Sequence, residues 1–176
     1  MANLLRLVAC LFVLLSFNAK ALVVNGCTIE ATTYCPDANL SGANLSNADL
    51  DYAYLTGADL SNADLTGAIL SDAELIYANL TGANLTGANL SDAILAAADL
   101  SDAILAGTDL SDAILMDADL FDADLTDAIL SDAYLVRANL SGAILTNVSG
   151  LLSDATRIRL PSGYTLEGLF IKPDAD

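Results

Sequence analysis

Leucine stands at every fifth position from Leu40 to Leu145, 22 times without exception. Two residues before each leucine is an alanine, with Thr108 the single substitute. The residue just before Leu is usually Asn, Asp or Ile, and the one just after is usually Ser or Thr. The next is Gly, Asn or Asp in 18 of the 22 units. Ala43-Asn44-Leu45-Ser46-Asn47 and Ala83-Asn84-Leu85-Thr86-Gly87 show the unit plainly. A period of five fits neither regular element. An amphipathic helix needs apolar residues three and four apart, and a strict five-step winds its leucines around the cylinder. A half-buried strand needs a period of two. The Gly/Asn/Asp position explains the spacing, because these residues tolerate the conformations of a tight turn. The chain turns once per repeat, four turns close a square, Leu fills the centre of each side, and Ala fits where only a small side chain has room.

These residues resemble the pentapeptide-repeat family, whose unit is commonly written A-(D/N)-L-x-x. The resemblance implies an all-β, right-handed quadrilateral β-helix with about 20 residues per coil. Residues 38–147 then make about 5.5 coils, a rod roughly 26 Å long at about 4.8 Å between stacked strands. A solenoid leaves open edges only at its two ends, and those need caps. The N-terminal cap is expected at 22–37 and the C-terminal cap at 148–176, beginning where the leucine register fails at Gly150. Apolar segments on either side of Pro161-Ser162-Gly163 predict a small hairpin over the last coil.

The ends of the chain change the picture of where it works. Met1–Arg6 carries one positive charge, Leu7–Phe17 is apolar except for Ser16, and Asn18-Ala19-Lys20-Ala21 is a small-x-small cleavage pattern. Residues 1–21 therefore read as a signal peptide cut after Ala21. A run of eleven residues is too short to span about 30 Å of hydrocarbon as a helix, so no stable membrane anchor is expected after cleavage. The mature chain would hold 23 acids against four bases, Arg137, Arg157, Arg159 and Lys172, a net charge of −19. Its two cysteines, Cys27 and Cys35, would close a disulfide in an oxidising compartment. Export to a periplasm or the medium is expected, or to a thylakoid lumen in a cyanobacterial host.

Side chains 20 residues apart should stack as ladders on the outside. One side, centred on Leu55, Leu75, Leu95, Leu115 and Leu135, is apolar outside, with Tyr54, Ile94, Ile114 and Tyr134 before those leucines and Ile76, Met116 and Val136 after them. Contiguous apolar patches mark contact surfaces, here for an unknown protein partner or for self-association. The adjoining corner stacks Asp72, Asp92, Asp112 and Asp132. Calcium needs six to eight close oxygens, more than one column supplies, so this acidic ladder reads as a solvated turn column. A rank of Ser46, Thr66, Thr86 and Thr126 lacks the paired threonine rank of an ice-binding surface. Seven N-x-S/T sequons arise automatically from the repeat.

Several function classes fall away. The acidic charge argues against nucleic acid and anionic lipid, which bind Lys and Arg. The chain has no His, its mature cysteines are expected to be bonded, and a filled rod has no pocket for a nucleophile and base. No enzyme, cofactor or metal site is expected. What remains is an exported scaffold or interaction module. The family resemblance supplies an alternative, a DNA-mimic protein that binds a type II topoisomerase such as gyrase. Residues 38–147 carry 17 acids and one base, but they are spread over all sides.

Overall fold

The computed structural model describes residues 22–174; the signal peptide expected at 1–21 lies outside them. There is no helix among the described residues. The body is held by 22 parallel bridges, each joining a residue to the one 20 positions on, from Tyr34↔Tyr54 to Asn139↔Arg159. Every bridged residue within the repeats stands just before a leucine, and the bridges fall into four ladders, one per side. The leucines from Leu40 to Leu145 point inward and are at most 3% exposed. They pack with the alanine column into one continuous core.

The turn follows from the backbone. In all 22 repeats the second residue after Leu has a positive φ, including Tyr52, Tyr77, Ala97 and Arg137, where no Gly, Asn or Asp is present. The alanine amide then donates back to the preceding leucine carbonyl, as Ala83 does to Leu80 at 2.9 Å. A positive φ at the third residue of a four-residue turn is the type II requirement.

Counting the five amides of a repeat explains the Asn/Asp position. In Ala83–Gly87, Ala83 closes the turn, Asn84 donates to Ala63 one coil back, and Leu85 and Gly87 donate to Ile104 and Ala106 one coil on. The fifth amide, Thr86, has no backbone partner and donates to Asn84 Oδ1 at 3.1 Å. Its hydroxyl reaches the same oxygen at 2.6 Å. Asn or Asp precedes Leu in 13 of the 22 repeats, and in each it accepts the amide two residues on. The side chain thus satisfies a backbone donor that the fold itself leaves open. Thr108, the exception in the alanine column, is fully buried, and its hydroxyl donates to the Leu85 carbonyl at 2.8 Å.

Both ends carry hairpins. At the start, β1 (Leu22–Val24) pairs antiparallel with β2 (Cys27–Ile29) around Asn25-Gly26, both at positive φ. That is the geometry of a two-residue type I′ turn. The Cys27–Cys35 disulfide, with Cα atoms 5.8 Å apart, joins β2 to the first coil. At the other end the expected hairpin is displaced. Residues 154–160 continue the coil, with Asp154 and Arg159 bridged to Tyr134 and Asn139 and a further turn at Thr156-Arg157. The hairpin comes later, as β3 (Tyr164–Glu167) and β4 (Phe170–Pro173) around Gly168-Leu169. Tyr164, Leu166 and Ile171 from this hairpin pack on the core. Pro161-Ser162-Gly163 is the link into β3, because the ladder bonds hold the residues before it to the coil below. The leucine register breaks at Gly150 for a steric reason. A Cβ there would lie 2.3 Å from the Ser131 nitrogen, and the buried Leu152 supplies the apolar side chain instead.

Candidate contact face

The face predicted from Tyr54 to Tyr134 differs from its neighbours in one respect that can be counted. The bridged ladder Tyr34, Tyr54, Glu74, Ile94, Ile114, Tyr134 contains no Asn or Asp until Asp154. The amides of Thr56, Ile76, Ala96, Met116 and Val136 therefore have no side-chain acceptor of the kind that braces 13 of the other 17 repeats. Thr56 carries the consequence. Its hydroxyl is buried without a hydrogen-bond partner, whereas Thr66 and Thr86 find theirs on Asp64 and Asn84.

The predicted residues stack into each other and shed exposure as they do so. Val136 is buried at 9% and Ile114 is exposed at 37%, while Tyr54, Ile76, Ile94, Met116 and Tyr134 are half-buried. Tyr34 stacks on Tyr54 with ring centroids 5.0 Å apart. Sequence reasoning missed the corner and end aromatics. Tyr34, Tyr52 and Tyr77 are 73%, 59% and 71% exposed and flank the same face. Ile69, Ile104, Ile129 and Ile144 are also exposed on two other sides. Their ladders are interrupted by Asn89 and Asp109 or by Asp124, so only the Tyr54–Tyr134 side carries adjacent apolar rungs, at Ile94, Ile114 and Tyr134.

The acidic ladder is a corner. Asp72, Asp92, Asp112 and Asp132 all have φ between 56° and 59° and are exposed. Tyr52 stands at its foot, and its phenol is raised above the usual value, chiefly by the Asp72 carboxylate and then by Asp51. Among the described residues no group of three or more His, Cys, Asp or Glu is placed to hold a metal ion. Two ion pairs are present among them, Arg137 with Asp117 on one corner and Lys172 with Glu167 across β3–β4. Arg137 holds the Asp117 carboxyl below the usual range by hydrogen bonding and charge. No helix among the described residues is long and apolar enough to cross a membrane.

A left-handed corner every five residues, four parallel ladders and a leucine-filled centre define a five-residue-register β-solenoid. The sequence belongs to the pentapeptide-repeat family: its model, described as pentapeptide repeats, matches in 8 copies over residues 38–75, 53–92, 73–112, 93–132 and 118–149. Among solved structures, a pentapeptide repeat protein of the Arabidopsis thaliana thylakoid lumen is 36% identical with a TM-score of 0.52. That match covers 53% of this chain and 66% of the other, so this chain spans just under two thirds of it. The pentapeptide repeat protein Rfr23 of the cyanobacterium Cyanothece 51142 is 25% identical with a TM-score of 0.43, covering 73% and 88% of the two chains. QnrB1, a plasmid-mediated fluoroquinolone resistance protein, is 18% identical with a TM-score of 0.32, covering 73% and 82%. No functionally curated protein matches the sequence.

Proposed function

We propose that this chain is an exported, non-enzymatic scaffold that meets a protein partner through its Tyr54–Tyr134 face. The winding is taken as right-handed with about 5.5 coils over 38–147, capped by 22–37 and 148–176. Residues 1–21 are taken as the removed signal peptide. One observation carries the contact reading: on this side alone the repeat gives up the amide-bracing Asn/Asp throughout, and apolar and aromatic side chains take every position but that of Glu74. Giving up a backbone hydrogen bond has a cost, and a contact surface is a reason to bear it.

Export is supported by the cleavage pattern and by the disulfide near the start of the first coil, which belongs to oxidising compartments. The similarity to a thylakoid-lumen protein points the same way. The topoisomerase-binding alternative rests on acidic charge, which here is spread around the rod, and on no feature of one side.

The contact reading is tested in the native host with a photo-crosslinking benzophenone amino acid at Tyr134 or, as control, at Ile144 on the opposite side. Adducts from position 134 and few from 144 are expected. No adducts from 134, or equal yields from both, would refute it. Export is tested by intact mass from separated compartments. A chain beginning at Leu22 outside the cytoplasm, two hydrogens lighter than its reduced form, is expected; a full-length reduced cytoplasmic chain would overturn it.

A further inference from the structure

We infer that the corner running from Asp37 to Arg157 is the contact line of an antiparallel homodimer. This rests on the contact-face reading above and names the occupant: a second copy of the chain. The corner borders the apolar face and climbs through Gly57, Tyr77, Ala97, Asp117 and Arg137, one residue per coil. All seven positions have φ between 54° and 70°. Four corner positions within the repeats hold something other than Gly, Asn or Asp, and three of them, Tyr77, Ala97 and Arg137, are in this column. The left-handed region disfavours such residues. Their concentration in one column means that these side chains serve something besides the turn.

Read in reverse, the column brings opposite charges together at its two ends and sets no like charges against each other. Aligned on Ala97, reversal sets Asp37 against the second copy's Arg157, Gly57 against its Arg137, Tyr77 against its Asp117, and Ala97 against itself. Within one chain Arg137 is held by Asp117, Nε to Oδ1 at 2.6 Å. Asp37 and Arg157 are in neither of the ion pairs found among the described residues. Of the four corners only this one carries a base. Reversing the Asp72–Asp132 corner would set carboxylate against carboxylate. Just before the corner in the chain, Ile76, Ala96, Met116 and Val136 form the apolar column that the same contact would cover, with Ala96 and Ala97 keeping the centre line low.

A two-fold axis through Ala97 closes the assembly at two copies. Six coil steps of about 4.8 Å place the two Asp37–Arg157 contacts about 29 Å apart. A strip about 10 Å wide and of that length is roughly 300 Å² per partner, below the standard about 800 Å². Association is therefore weak, and like net charge opposes it further, so a covalent trap reads it best.

The test uses the full chain with Cys10→Ser, in which Cys27 and Cys35 are bonded, and adds Ala97→Cys. Under diamide, a disulfide-linked dimer is expected at least tenfold faster than for Asp127→Cys on the diagonally opposite corner. Adding Arg157→Glu to Ala97→Cys should slow it to the control rate, and adding Asp37→Arg as well should restore it. An Ala97→Cys rate equal to the control, or one insensitive to Arg157→Glu, overturns the dimer. If adducts from position 134 persist in the host after that result, the face serves a different protein. If they are absent too, the contact reading falls with it.

Discussion

Two adjacent sides of this rod are built on the same interior and finished differently outside. The side centred on Leu60, Leu80, Leu100 and Leu120 carries Asn39, Asp59, Asn79, Asp99, Asp119 and Asn139 in its ladder. Each of these accepts the amide two residues on. Neighbouring rungs also bond, as Asn139 Nδ2 donates to Asp119 at 2.9 Å. The side centred on Leu55, Leu75, Leu95 and Leu115 has none of this, yet it winds with the same coil-to-coil bonds at 2.6–3.1 Å. Winding therefore needs the leucine, the alanine and the left-handed corner. The Asn/Asp before Leu is a brace that one side can give up, which frees a column for other chemistry.

The largest expected effect tests whether the interiors of the two sides are equivalent. Leu95 and Leu100 are both at most 1% exposed. Leu95→Ala and Leu100→Ala should each cost about 2–5 kcal/mol, and by similar amounts. Denaturant melts that put one cost several-fold above the other would break the comparison at its foundation. Next comes the brace itself. Asp99→Ile converts a braced rung into the other kind and leaves the Ser101 amide and hydroxyl without their acceptor. A loss of about 1 kcal/mol is expected, while Ile94→Asp on the apolar side should be neutral or slightly stabilising because Ala96 gains an acceptor. An equal loss from both changes would mean that the Asn/Asp position acts through something other than this bond.

A finer contrast lies in two threonines. The Thr56 hydroxyl is buried and unpartnered, whereas the Thr81 hydroxyl donates to Asn79 at 2.7 Å. Thr56→Val should hold or raise stability, and Thr81→Val should lower it by about 1 kcal/mol. Thermal melts with the opposite order would remove the link between the missing brace and the orphan hydroxyl.

The smallest effect is in pH. Asp59 is held below the usual carboxyl range by the Ser61 hydroxyl and then its amide. In Asp99 burial pushes upward, but the Ser101 hydroxyl and amide, with Thr81, outweigh it. A folded pKa below the unfolded value means that these groups stabilise the rod above about pH 4 and lose that contribution as pH falls through their depressed values. Melting temperature should thus fall on acidification below about pH 4. Asp59→Asn with Asp99→Asn keeps the acceptor oxygens and should flatten that fall; an unchanged pH profile would show that the two carboxyls are not its source.

Much of the architecture was legible because the register is so strict. Leu40 to Leu145 named the core, and Gly, Asn and Asp two residues later named the corners. The brace could have been read from the same letters, since Asn or Asp stands two residues before Ser or Thr in 11 of the 22 units. The N-terminal hairpin had its signal in Asn25-Gly26, the commonest type I′ pair. The C-terminal hairpin was misplaced because Pro161-Ser162-Gly163 looks like a turn in isolation. Nothing local says that Asp154 and Arg159 still find ladder partners 20 residues back.

The sequence by itself determined the repeat length, the inward residues and the need for a left-handed position, because each follows from side-chain size or backbone preference within five residues. Tertiary structure alone decided what depends on neighbours one coil away. It placed Tyr52, Tyr77, Ala97 and Arg137 at positive φ against their local preference, since the coil bonds above and below fix the corner whatever side chain occupies it. It half-buried the apolar ladder by stacking one rung on the next. It also required Gly150 where the backbone meets Ser131, a contact between residues 19 apart that no window along the chain contains.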